Sequence, residues 1–170
     1  MKKIVTNIFL FCINMATNKF NYLHVIKHTQ LIACDLIIVN ENNEVLLGMR
    51  NNEPAKNYWF TPGGRVYKNE NMEDACKRIS ENEIGCEIKN GTIFGVYQHK
   101  YKNNFDNRLF GTVYVVFSHI FNVKKNDIHF KKDKQHSDLK WFNIDTLLEN
   151  KDIHKYVKNY FLENPDNKIY

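Results

Sequence analysis

Residues 31–40 read LIACDLIIVN, apolar at every position except Asp35 and Asn40. A run this apolar, rich in β-branched residues and closed by the turn signal NENN, has no solvent face to offer and reads as a buried strand. EVLLGMR (44–50) follows as its partner, and NYWFTPGG (57–64) is a short extended piece ending in a glycine turn. In NMEDACKRISENEIG, Met72, Ala75, Cys76 and Ile79 fall at i, i+3, i+4 and i+7, and Gly85 is a natural stop, so this stretch is a helix. TIFGVYQHKY (92–101) and TVYVVFSHIF (112–121) read as strands around a polar loop at 102–111. LKWFN is a last short strand, and IDTLLEN and IHKYVKNYFLEN are closing helices. Strands interspersed with helices that cover both sheet faces predict an α/β/α sandwich with a mixed sheet.

A chain of 170 residues suits one domain with a substantial core. The formal charge of +5 comes from lysines scattered among many asparagines, without a basic stripe interleaved with aromatics. This reads as a solvated surface rather than a nucleic-acid footprint. The cysteines (Cys12, Cys34, Cys76, Cys86) show no Cys-x-x-Cys spacing. Cys34 and Cys76 take apolar-phase positions and read as small buried hydrophobes in a reducing, hence cytoplasmic, compartment. The opening MKKIVTNIFLFCINMA is open to three readings. It is a weak signal peptide with no clear cleavage site, an apolar run too short to span a membrane, or an extension ahead of a start at Met15. The third is favoured, giving an extension at 1–14 and a single domain at 15–170.

The segment from the glycine turn through the helix carries the chemistry. Gly64 is followed by five residues and Glu70, then seven residues and Arg78, then Glu83 and Gly85. This layout resembles the Nudix box. It departs at Ile79 and Asn82, where glutamates are expected, and at Ser80, where an apolar residue is expected. With the flanks DLIIVNENNEVLLGMRNNEPAKNYWFTPGGRV, GVYQHKYKNNF and DKQHSDLKWF, the chain is similar to the GDP-mannose mannosyl hydrolase branch of the Nudix family, which has the same reduced box. The resemblance runs from about Met15 to Leu162 and implies the Nudix fold.

Cleaving a diphosphate at phosphorus calls for several carboxylates, to gather divalent charge for activating water and neutralising phosphoryl oxygens. Without glutamates at 79 and 82, one hard cation is still within reach of Glu83, a backbone carbonyl at the glycine turn and a side-chain amide. One such ion can stabilise a departing diphosphate. The reaction this favours is attack of water on C1 of the sugar, with a nucleoside diphosphate leaving unprotonated. It needs a base. Gln135 and His136 stand side by side in the polar stretch before the last strand, and a histidine titrates near working pH.

The resemblance assigns His136 as general base and Glu83, Gln135 and the Gly63 carbonyl as ligands of one Mg2+ per subunit, with Mn2+ as a substitute. It makes Arg50 and Arg65 ligands of the leaving diphosphate, a role that suits planar guanidinium groups. His99 and Tyr114 match residues at the phosphate and sugar end, and Asp35 matches a carboxylate that supports catalysis. Each has an ordinary reading beside it: His99 as a polar strand end, Tyr114 as a half-buried core tyrosine, Asp35 as a strand-end ion pair. Arg78 is either a substrate ligand or half of an internal ion pair that orders the box. Glu70 is either a charge complementing the helix dipole or an outer metal partner. Val113, Tyr97 and Met49 stand where the family commonly has His, Trp and Lys. The expected activity is Mg2+-dependent, inverting hydrolysis of a GDP-hexose to GDP and free sugar by a homodimer, with no nucleic-acid or membrane partner. The guanine preference rests on resemblance alone. Cleavage of a P–O–P bond and nucleotide-sugar binding without turnover are the alternatives.

Overall fold

The computed structural model describes residues 21–106, 110–128 and 136–170, and for His136 the backbone only. The proposed extension at 1–14 and Gln135 lie outside the described residues. A helix, α1, covers 21–28. It is followed by β1 (Leu31–Asn40), β2 (Glu44–Arg50), β3 (Trp59–Phe60), β4 (Gly63–Arg65) and α2 (Met72–Glu83). Then come β5 (Thr92–Tyr101), β6 (Thr112–Val123), a 3-10 turn (Lys125–Asp127), β7 (His136–Asn143), α3 (Ile144–Leu147) and α4 (Lys155–Asn159). The strands form a single mixed sheet in the order β3-β2-β1-β6-β5, with β4 also pairing β1 and β7 pairing β2.

The long apolar run is the sheet's central strand. β1 pairs in parallel with β6 from Leu31↔Tyr114 to Asn40↔Val123 and antiparallel with β2 and β4. Successive side chains of a strand point to opposite faces. Ala33 and Ile37 therefore pack with Val45, Leu47, Phe60, Tyr97, Val116, Tyr156, Val157 and Tyr160 on what we call the front face. Cys34, Leu36 and Ile38 pack with Cys76, Ile79, Ile84, Ile88 and Phe121 beneath α2 on the back. Both faces are covered, which is why β1 shows no polar alternation.

α2 begins where expected. Asn71 caps it by accepting from the Asp74 N–H at 2.8 Å, and Glu73 and Asp74 complement the dipole in the first turn. Gly85, at φ 88, takes the left-handed turn that ends it. Ser80, out of place in an apolar slot, is fully buried and satisfied. Its hydroxyl donates to the Lys77 carbonyl and accepts from the Ile88 N–H.

Helix α1 was not expected, and further segments differ from expectation. The extended piece before the glycine turn splits into β3 and β4, which bond to different partners. The last strand is longer than LKWFN, starting at His136. The closing helices are short because their ends tighten into turns: Tyr160 N–H bonds Val157 O, and Phe161 N–H bonds Lys158 O. The chain end then runs along β5. Val96 N–H donates to Tyr170 O, Ile169 N–H to Val96 O and Gln98 N–H to Asn167 O, covering a sheet edge that would otherwise be open. Among the described residues no helix is long and apolar enough to cross a membrane.

Candidate active site

A cleft of about 630 Å³ opens on the front face. Asp35, Arg50, Gly63, Arg65, His99 and Tyr114, six positions singled out in the sequence, all line it. They are brought together by β1, β2, β4, β5 and β6.

The glycine turn is the tightest point. β4 lies against β1 with Gly63 opposite Asp35 and Gly64 opposite Cys34. A Cβ at Gly63 would overlap the Asp35 carboxylate, and a Cβ at Gly64 would crowd the Ile79 side chain at 3.3 Å. Glycine is thus required here for close backbone approach. Glu83, at the end of α2 and nearly buried, accepts the Gly63 N–H at 2.9 Å. That bond sets a carboxylate at the base of the turn. Ile79, one helical turn earlier, is core, and Asn82 is exposed. Glu83 and the Gly63 carbonyl are hard oxygen donors of the kind a small divalent cation takes.

Asp35 is held by hydroxyls rather than by the ion pair considered for it. Tyr160 Oη donates to Oδ2 at 2.7 Å, and Thr61 Oγ1 donates to the same oxygen at 3.3 Å. Burial pushes its carboxyl up to about 6, against the pull of these two bonds and of the nearby Arg50 charge. His99 is not a polar strand end. It is buried, stacked flat on Tyr156 with ring centroids 4.1 Å apart, and its Nε2 lies 3.3 Å from Tyr160 Oη. Burial, reinforced by His154 and Lys155, lowers its pKa to about 3, so the ring is neutral. With the Tyr160 hydroxyl donating its hydrogen bond to Asp35, the Nε2–H tautomer of His99 would donate to the Tyr160 oxygen and complete a chain from His99 through Tyr160 to Asp35.

The arginines divide. Arg50 lines the cleft, and its Nε is buried without a hydrogen-bond partner among the described residues. A buried unmatched guanidinium donor beside an open cleft suits an anionic ligand. Arg65 also faces the cleft, with its guanidinium 4.1 Å from the centre of the Tyr22 ring. Arg78 does not line it. Its Nε and Nη2 bond Glu70, its Nη2 also reaches the Arg65 carbonyl, and its guanidinium covers Tyr67. The pair holds Glu70 below its ordinary range and Arg78 above its own. Arg78 and Glu70 thus brace the strand-to-helix connection, the internal ion pair foreseen as one of two readings. Tyr114 is half-buried, and burial raises its phenol, with neighbouring Tyr22 adding in the same direction. His136 stands opposite Arg50 in the β2–β7 register, just past an irregularity at Gly48/Arg50. Its side chain and Gln135 lie outside the described residues.

Tyr156, Tyr160, Thr61, Tyr22 and Phe105 went unread in the sequence. Tyr156 and Tyr160 carried a signal, since aromatics at i and i+4 in IHKYVKNYF mark one helix face. Tyr156 also fixes the β5 end, its hydroxyl accepting the Lys100 N–H and donating to the Lys100 carbonyl, both at 2.7 Å. Tyr22 and Phe105 stack at 5.1 Å along one wall of the cleft, from segments far apart in the chain.

A glycine turn leading through a capped helix to a carboxylate, set over a mixed sheet, is the architecture of a Nudix-type α/β protein. The chain belongs to the Nudix hydrolase family: the model of the NUDIX domain matches residues 29–163. It is 34% identical over 136 residues to the low-salt glycan biosynthesis protein Agl8 of Haloferax volcanii, covering 80% of this chain and 83% of that protein. Its fold is shared by the MutT protein of Methanosarcina mazei (TM-score 0.65, 21% identity, 78% of this chain and 90% of that one). It is shared too by the NUDIX domain of Shewanella oneidensis NrtR, solved with ADP ribose (TM-score 0.56, 18% identity, 76% and 83% covered).

Proposed function

We propose that this chain is a Mg2+-dependent hydrolase of a GDP-hexose such as GDP-mannose, attacking C1 of the sugar and releasing GDP. The observation that carries the reading is the state of α2. Ile79 is packed into the core against Gly64, Asn82 is exposed, and Glu83 alone of the three box positions brings a carboxylate to the glycine turn. Glu83, the Gly63 carbonyl and Gln135 are the residues assigned to hold Mg2+. The ion's contribution when bound is to neutralise a diphosphate leaving group. Arg50 and Arg65 bind the same diphosphate from the cleft side. The unmatched Arg50 Nε supports this assignment. Asp35, braced by Tyr160 and Thr61, holds the sugar or Arg50. His136 takes a proton from the attacking water. The 34% identity to a glycan biosynthesis protein agrees with a sugar-bearing substrate.

Hydrolysis in ¹⁸O-labelled water tests the reading. Attack at carbon puts the label on the sugar and leaves GDP unlabelled. An α-linked substrate first yields the β-sugar, because a single displacement inverts. Label on GMP or sugar phosphate would instead establish P–O–P cleavage, and binding of a nucleotide-sugar panel without product would establish a non-catalytic domain.

A further inference from the structure

Behind the sheet, opposite the cleft, three metal-ligating side chains from three separate elements meet. Cys34 is on β1, Cys76 on α2 and His119 on β6. Cys34 Sγ lies 3.1 Å from Cys76 Sγ and 3.6 Å from His119 Nδ1, and all three ligand atoms fall within 4.8 Å of one another. Both cysteines are buried and neither is in a disulfide, whereas His119 is only half-buried and gives the cluster a path to solvent.

We propose that Cys34, Cys76 and His119 form a binding site for a single thiophilic cation of the Zn2+ type, separate from the Mg2+ site at the glycine turn. The distances fit. Tetrahedral zinc with Zn–S near 2.3 Å and Zn–N near 2.0–2.1 Å places sulfur and nitrogen about 3.6 Å apart and the two sulfurs about 3.8 Å apart. The Cys34–His119 separation already has that value. The sulfurs, 3.1 Å apart, must open by about 0.7 Å, and the third pair starts within 4.8 Å, adjustments for rotation of two short cysteine side chains. Two thiolates and an imidazole select zinc over magnesium, which takes oxygen ligands. The site has three protein ligands, so water fills the fourth position from the His119 side.

Protons balance simply. The two sulfurs share a hydrogen bond at 3.1 Å before loading. On loading, both thiol protons leave for solvent. His119 coordinates as neutral imidazole with its proton on Nε2, and the 3.3 Å approach of Nδ1 to the Phe117 carbonyl is given up. The site joins α2 to the two parallel strands β1 and β6. It lies directly behind the glycine turn, since Cys34 is opposite Gly64 and next to Asp35. A cation there would clamp the helix that carries Glu83.

The test is titration of the full chain with Co2+, then Zn2+, in a non-thiol reductant and excess Mg2+. The expected result is a near-ultraviolet thiolate-to-cobalt charge-transfer band saturating at one equivalent and bleached by Zn2+, together with a rise in melting temperature. Cys34→Ser should abolish the band. His119→Gln, a change at a partly exposed position, should weaken binding at least about 100-fold, since even outer-shell partners are worth 10–100-fold. Glu83→Gln should keep the band. No band in the unaltered chain, a band that survives Cys34→Ser in a protein that still melts cooperatively, or loss of the band in Glu83→Gln would each overturn the proposal.

Discussion

Asp35 and Cys34 are neighbours on β1, yet they belong to different environments. The front face around Asp35 is polar and aromatic: a carboxylate, several tyrosines, a neutral histidine and two arginines around an open cleft. The back face around Cys34 is mostly apolar and packed under α2, with the Cys34–Cys76–His119 cluster at its half-exposed edge. The two are separated by one sheet and joined at the glycine turn, where Gly63 meets Asp35 on one side and Gly64 meets Ile79 on the other. Chemistry is concentrated on the face that is incompletely packed, and rigidity on the face that is complete. Substitutions on the front should therefore change rate more than stability, and substitutions on the back the reverse.

The largest expected effect is at the residue proposed as general base. His136→Gln should lower kcat by roughly 10²–10⁴-fold, the usual contribution of a positioned general base, with little change in KM or melting temperature. Steady-state kinetics beside a thermal melt checks this. A loss of stability that accounts for the loss of rate would put His136 in the framework instead.

The strongest stability effect belongs to the back. Ile79 is 2% exposed and fills the space between α2 and the glycine turn. Ile79→Ala should cost about 2–5 kcal/mol, the range for truncating a buried aliphatic to alanine, measured by urea unfolding. The protein that remains folded should place ¹⁸O on the same product as the unaltered chain.

The asymmetry between the faces also explains what could be read from the sequence. The back face was legible because it depends on local period. Ala75, Cys76 and Ile79 announce a helix stripe, and the core strand announces itself by lacking polar residues. The box, from Gly64 to Gly85, was legible because its spacing is local too. The front face depends on long-range partners. Asp35 is held by Thr61, 26 residues away, and by Tyr160, 125 residues away. Neither spacing has a period. Helix α1 was missed for a related reason, since its polar residues mask an apolar contact made by Ile26 alone among its fully buried side chains. The C-terminal pairing with β5 uses backbone groups, which leave no mark on side-chain pattern.

Tyr160→Phe sharpens the comparison, because it removes one hydroxyl from the front network while keeping the ring that packs at 4.8 Å against Tyr97. A hydrogen bond to a charged group is worth about 1.5–3 kcal/mol. The expected outcome is a stability loss at the lower end of that range, because Thr61 still donates to Asp35, with a drop in kcat of about tenfold, 1.4 kcal/mol by transition-state arithmetic. Equal kcat with reduced stability would make Tyr160 a packing residue only.

The smallest effect is a pH dependence. His99 is buried among Tyr156, Tyr160, Tyr101 and Phe60, with His154 and Lys155 as the nearby basic groups and no carboxylate as a direct partner in its ring contacts. Its pKa falls from an ordinary 6.5 to about 3 on folding. The unfolded chain therefore binds a proton in a window where the folded chain does not. The neutral ring's contribution is fully present above pH 6.5 and is lost as pH falls toward 3. Between pH 7 and 5.5 the linkage amounts to about 1 kcal/mol. His154, depressed to about 4 by burial, Lys155 and Arg50, acts in the same direction. His99→Gln should make the fall in melting temperature across that interval shallower, while the back-face Ile79→Ala should shift the whole curve down without changing its slope. A ring-proton NMR signal of His99 that titrates near 6.5 in the folded protein would remove the basis for the difference.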